Sequence, residues 1–454
     1  MSPVVAVCVR KPKGQLGVWA GHRSATVGTS RDLRPCPGKI GTRLRSHLSV
    51  GYCSPTVEGR AVATDLAPIT PSVLKWARLS IGVSPEYAAQ RAAVTVERLT
   101  SWEAGAAEPT VAKLRQLAKL YQRPLSVFFL PEPPVDFDAL RDFRRLPGRP
   151  DPAWSRPLHK VYRRAVLQQE VTAELREDEE SQFRTTVPAL DLSLDPEEAG
   201  AQARAALAVP LHEQFGWQRP EEAFSGWLEA VEGLGALVLR TSDVALEEMR
   251  GFSIGSGSVP IIVINALDSP RGQVFTLAHE FAHLALREGG LCDLLEPTDD
   301  AARSIEVWCN AVAGAMLLPL ASFLSDPKVA PPGHRWWDDA VLSQLSDRYA
   351  VSREAVLRRL VTLNRATWDF YLQRRDEYLA AYAQHRDEQR ARRRSSGGGP
   401  PPYRMAVRDQ GKPYVRIVLD AYHRDAISAS SLSSLLGLKL KHVAALEREA
   451  GIGS

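Results

Sequence analysis

The sequence predicts an α+β chain in three parts: a helical bundle near the N-terminus, a central domain in which a small sheet is followed by helices, and a helical C-terminal extension. Three observations predict it. Between Pro71 and Phe129 apolar residues recur at helical spacing, broken by Gly, Ser-Pro, Thr and Pro. The runs "ALVLRT", "RGFSIG" and "VPIIVIN" are short, rich in Val and Ile and bounded by Gly, Ser, Asp and Pro, as strands are. Beyond Pro270 the helical period returns and dominates to the end.

At 454 residues the chain exceeds one ordinary core, so it divides. The patterning suggests 1–68 as unstructured or lying upstream of the true start, and 69–133 as a first helical domain. A linker and helical region follows at 134–220 and a central core at 221–325. A helical extension at 326–395 leads to a linker and small helical unit at 396–454. In the first of these, Gly, Pro, Ser and Arg are scattered without periodicity, and translation is expected to begin near Val57 or Val62. The opening residues lack the apolar stretch and cleavage site of a secretory signal.

No apolar run is long enough to span a bilayer, so no membrane partner is expected. Lys and Arg number 57 against 53 Asp and Glu, too even to announce nucleic acid by charge alone. The five cysteines, Cys8, Cys36, Cys53, Cys292 and Cys309, form no CxxC pair, which suits a reducing, cytoplasmic setting without disulfides.

The first domain reads as helices over Pro71–Ser80, Pro85–Arg91, Val96–Glu103, Thr110–Tyr121 and Leu125–Phe129. Its expected core is Leu74, Ala77, Ala88, Val96, Leu99, Leu114, Leu117 and Leu120. Ser84 and Thr95 are natural N-caps, and the break from Ala92 to Thr95 has helix-turn-helix spacing, in which the later helix enters the major groove of DNA.

The stretch "LTSWEAGAAEPTVAKLRQLAKLY" resembles the Xre/Cro-type helix-turn-helix family. That resemblance implies that Thr95, Glu97, Arg98 and Ser101 face bases or phosphates, with Arg91 and Arg78 as backbone contacts. The alternative is that the same bundle docks a protein. The next stretch, "LPEPPVDFDALRDFRRLPGRPDP", reads as a linker to a spacer helix over Trp154 to about Arg184.

In "FTLAHEFAHLAL", 3.6 residues per turn put His279 and His283 on one helix face, able to share an ion. Glu280 lies about 100° round from His279, off the ligand face and within reach of a water activated by that ion. The helix is apolar on nearly every side, where such a trio is costly without a metal or partners. A third ligand is expected from "SIEVWCNAVAGAMLLP", whose one carboxylate is Glu306, with Asn310 a turn further on to hydrogen-bond a ligand histidine. The intervening Glu288, Asp293, Glu296, Asp299 and Asp300 read as solvated. Two histidines, one glutamate and an open position suit a catalytic Zn2+. "VPIIVIN" is expected to offer an exposed sheet edge for a substrate strand.

"GFSIGSGSVPIIVINALDSPRGQVFTLAHEFAHLALREG" with "IEVWCNAVAGAMLLP" looks like the ImmA/IrrE family of zinc metallopeptidases. The resemblance implies a zincin-like core, zinc held by His279, His283 and Glu306, and Glu280 as the catalytic base. It further implies a protein substrate, a helix-turn-helix repressor cleaved in a stress or mobile-element response, with DNA as the bundle's own partner. The competing expectation is a non-proteolytic DNA-binding regulator or antitoxin-like protein.

"DDAVLSQLSDRYAVSREAVLRRLVTLN" reads as two helices, better suited to packing on the core than to reading DNA. After the charged "RDEQRARRRSSGGGPPP", the last unit is expected to serve partner contact or a homodimer, with His423 and His442 outside any metal site.

Overall fold

Alternation decides which way the strands face. In β2 (Leu237–Thr241) and β4 (Ile261–Asn265), Val238, Ile262 and Ile264 point to one side, while Leu237, Leu239, Ile261 and Val263 point to the other. Both sides are therefore buried, and helices cover each. The computed structural model describes residues 66–121, 123–134, 141–142, 154–177, 185–287, 290–292, 300–330, 336–396 and 399–452. The expected early-start segment, the linker over 135–140 and 143–153, and the loop acids Glu288, Asp293, Glu296 and Asp299 lie outside the described residues.

The fold is α+β, with the helix-turn-helix region first and a central sheet-and-helix domain behind it. The five-stranded sheet runs β1 (Arg141–Asp142), β5 (Gly290–Cys292), β3 (Gly251–Ile254), β4, β2. β2 pairs with β4 in parallel, from Leu237 against Ile261 to Thr241 against Asn265, and β3 is antiparallel to both β4 and β5. β4 is thus an interior strand, and the expected exposed edge at "VPIIVIN" is corrected: hydrogen bonds occupy both of its sides. Its unbroken apolar run is the pattern of a strand covered on both faces.

The first domain holds α1 (Pro71–Leu79), α2 (Pro85–Ala92), α3 (Val96–Glu103), α4 (Val111–Tyr121) and a 3-10 turn at Leu125–Phe129. All of its expected core is buried except Val96, which is half-buried. The helix α5 (Arg156–Glu177) carries this bundle, with Arg163 donating to the carbonyls of Ser80 at 2.8 Å and Tyr121 at 3.2 Å.

One face of the sheet is covered by α6 (Pro196–Leu207), α7 (Leu211–Gly216), α8 (Pro220–Gly233), α9 (Pro270–Ala285), α10 (Asp300–Leu317), α11 (Leu320–Ser325), α12 (Asp339–Arg348) and α13 (Arg353–Thr362). These share one continuous core, against which the start of α14 (Trp368–Ser396) also packs. The stretch expected as linker therefore contributes α6 to that core, and the extension from 326 belongs to it through α12 and α13. Small residues explain the first difference: Ala199, Gly200 and Ala203 carry little hydrophobic signal, yet they let α6 approach α10 so closely that a Cβ on Gly200 would lie 2.6 Å from that of Ala315.

The other face is covered by α5 with α15 (Pro402–Gln410), α16 (Lys412–His423), α17 (Ala429–Leu436) and α18 (Val443–Ala450). Their apolar sides form one core with α5 and the sheet. At Gly411 the backbone has φ +79, and a Cβ there would meet the Val238 carbonyl of β2 at 2.7 Å, so the turn between α15 and α16 lies directly on the strand. Among the described residues no helix is long and apolar enough to cross a membrane.

Candidate metal centre

The helix α9 is fixed at its start before any site residue is reached. Ser269 caps it, its Oγ accepting from the Gly272 N–H at 3.0 Å, and Pro270 occupies the first turn. Ahead of the cap, buried Asn265 donates to the carbonyls of Val244 at 3.1 Å and Met249 at 2.8 Å and accepts from the Leu267 N–H at 3.0 Å. Every residue from Gln273 to Ala285 is buried, between the sheet on one side and α8 and α10 on the other. Side chains such as Phe275, Leu277 and Phe281 each contribute roughly 1.5–3 kcal/mol by that burial, which holds the polar trio in place.

His279 Nε2 and His283 Nε2 lie 3.2 Å apart. From α10, Glu306 brings Oε2 within 3.3 Å of His279 Nε2 and Oε1 within 3.0 Å of His283 Nε2. All three side chains are at most 1% exposed. Burial lowers the His279 pKa, with the adjacent Glu306 opposing that shift. Burial would raise the Glu306 carboxyl, but the charges and hydrogen bonds of the two histidines hold it well below its ordinary value.

These residues fit a zinc ion. One ligand atom from each of the three residues lies within 4.8 Å of the other two, close enough to share a single ion. Two imidazoles and a carboxylate are also the donor types zinc takes. Glu280 is fully buried next to His279, with its side chain under the backbone of β3 at Gly251.

Asn310 lies a turn beyond Glu306, and its Oδ1 and the Nδ1 of His279 are both buried without a hydrogen bond among the described residues. Sequence reasoning passed over Cys309, whose buried thiol faces His283 and is pushed up by burial, so it stays protonated. Its helical offset of three from Glu306 was the available signal.

The residues expected at DNA separate into two groups. Thr95, Glu97 and Arg98 are exposed at the start of α3, where Thr95 Oγ1 accepts from the Arg98 N–H at 3.2 Å, and Arg91 is exposed in the last turn of α2. Ser101 is half-buried and donates to the Arg98 carbonyl at 2.7 Å. Arg78 is a correction: it is 6% exposed and donates to Glu103 Oε1 at 2.7 Å, Glu103 Oε2 at 2.9 Å and the Val83 carbonyl at 2.9 Å, so it ties α1 to α3 inside the bundle. The turn itself is set by Ala93 in the left-handed region, where Lys113 donates to the carbonyls of Ala92 at 2.7 Å and Ala93 at 3.2 Å.

Residues 232–361 match a peptidase family model described as the IrrE N-terminal-like domain. This chain carries an IrrE-like domain. Residues 74–128 match the helix-turn-helix model, so the IrrE-like domain follows a helix-turn-helix domain, as the ImmA/IrrE resemblance implied. The match runs through α13, in agreement with the single core that joins α6, α10, α12 and α13. No curated protein matches the chain. The architecture is that of a metallopeptidase-like domain joined to a DNA-binding fold, with a His-His-Glu cluster of the kind such domains use for metal.

Proposed function

We propose that the protein is a zinc-dependent endopeptidase coupled to a DNA-binding module, and that it cleaves a helix-turn-helix repressor in a stress or mobile-element response. The single observation that carries this is the convergence of His279, His283 and Glu306 with Glu280 on the adjoining face of α9.

A bound zinc ion would supply Lewis acidity toward the scissile carbonyl and the attacking water. His279 and His283 would hold it through ring nitrogens, and Glu306 would complete the set and offset its charge. Glu280 accepts the proton of the attacking water and returns it to the leaving amine, a role typically worth about 10²–10⁴ in rate. Thr95, Glu97, Arg98, Ser101 and Arg91 form the DNA-facing side, with Arg98 and Arg91 as its cations, and the bundle brings the peptidase to regulators bound nearby.

One observation favours a second reading, a non-proteolytic regulator or antitoxin-like protein: His279, Glu280, His283 and Glu306 are at most 1% exposed, so a substrate needs an opening movement to reach them. Mapping new protein N-termini in cells expressing the wild type or Glu280→Gln separates the two. Glu280-dependent termini within a helix-turn-helix protein support the peptidase. Identical termini in both strains support the regulator.

A further inference from the structure

A left-handed residue in the middle of a helix-turn-helix fixes the angle between its helices, and this chain repeats the arrangement. Ala93 (φ 50), Ala350 (φ 53) and Gly437 (φ 63) each follow one helix, and the third residue beyond each opens the next helical segment, at Val96, Arg353 and Leu440. Counting from that residue, the fifth and first before it are buried in all three: Ala88 and Ala92, Leu345 and Tyr349, Leu432 and Leu436. The sixth and ninth after it turn inward likewise: Leu99 and Trp102, Val356 and Arg359, Val443 and Leu446. The first and last units share their opening as well, with Ser84 accepting from Tyr87 N–H and Ser428 from Ser431 N–H.

What distinguishes the units is the face left to solvent. α13 has Ala355, Val356, Leu357, Arg359 and Leu360 buried in the IrrE-like core, so it has no side to offer a groove. The segment from Lys439 through α18 instead leaves Lys439, Leu440, Lys441, Ala444, Arg448 and Glu449 exposed. Among the described residues Lys439, Lys441 and Arg448 make no ion pair, while the neighbouring acids are engaged elsewhere, Glu447 by His423 at 2.9 Å and Glu449 by Arg404 at 3.2 Å. The outward surface therefore carries unopposed cations, with Lys439 and Lys441 at the start of the later segment, where a helix-turn-helix touches the duplex, and Arg448 in its last turn.

We propose that residues 412–450 form a second DNA-binding head, in which the 440–450 segment enters the major groove and Lys439, Lys441 and Arg448 contact phosphates or base edges. Each chain then grips DNA at two places, and the C-terminal unit adds to the affinity set by the N-terminal bundle. The inference does not depend on peptidase activity.

The experiment follows binding of the full chain to a random-sequence duplex of roughly four helical turns by fluorescence anisotropy across a salt series. Lys439→Ala with Lys441→Ala is expected to weaken binding and to reduce the log-log salt slope by about 2, one for each lost phosphate contact. Lys439→Arg with Lys441→Arg is expected to keep both, and Arg91→Ala with Arg98→Ala to remove a separate share. The proposal is overturned if the alanine pair binds as the wild type does, if the arginine pair loses as much as the alanine pair, or if the wild type does not bind the duplex.

Discussion

Gly251 on β3 lies directly against Glu280 on α9: a Cβ at Gly251 would stand 3.0 Å from Glu280 Oε1, 3.1 Å from Glu280 Cγ and 2.6 Å from Thr276 Cγ2. The bare backbone of one strand thereby sets where the proposed base rests. Gly251→Ala is expected to cost about 1–3 kcal/mol of stability by overpacking and to displace the carboxylate, lowering proteolysis while zinc content stays near the wild-type value. Adding Thr276→Ser removes the nearest clash and should restore part of the stability, read by thermal unfolding.

α6 presses on α10 through Gly200, where a Cβ would lie 2.6 Å from Ala315 Cβ and 3.0 Å from the Met316 backbone nitrogen. Since α10 carries Glu306, pushing the two helices apart moves a proposed ligand. Gly200→Val is expected to destabilise by about 1–3 kcal/mol and to weaken zinc retention, measured by competition with a chromogenic chelator. Unchanged retention would mean that α10 is held without α6.

Arg359 is 1% exposed and joins α13 to α6 and to the residue just after α10, donating to Glu197 Oε2 at 2.6 Å and to the Leu318 carbonyl at 3.0 Å. The Glu197 side chain remains 29% exposed, so the two partners are unequal. Glu197→Ala strands a buried cation and is expected to cost about 3–5 kcal/mol. Arg359→Met leaves a carboxylate that water can reach and should cost less. Denaturant unfolding of both variants checks the order.

Glu232 sits where α8 meets the C-terminal helices, and burial pushes its carboxyl up to about 8, with Glu229 adding to the rise and Lys412 and Arg416 opposing it. A folded pKa above the unfolded value means that the native state holds the proton more tightly. The stabilisation is complete below the unfolded value, near 4.5, and is lost as pH rises through about 8. Stability is therefore expected to fall across this window, and Glu232→Gln should flatten the fall, as thermal unfolding against pH will show.

Much of this was legible in the sequence because the signals were local. Caps and period located α2, α3 and α9, and two histidines a turn apart in an apolar helix marked the face on which Glu306 joins them. What escaped was the choice of partner element. The alanine face of α6 names no neighbour, and the amphipathic α16 looks the same whether it meets a partner protein or, as here, the sheet. Arg78 shows the same limit, since a cation near the helix expected to read DNA serves Glu103 instead.

Metal content per chain, by elemental analysis of the wild type beside His283→Ala, decides the central issue. About one zinc in the wild type and far less in the variant is the expected result for a His-His-Glu centre. A wild type that binds no stoichiometric zinc, even when refolded with the ion, would contradict the proposed peptidase.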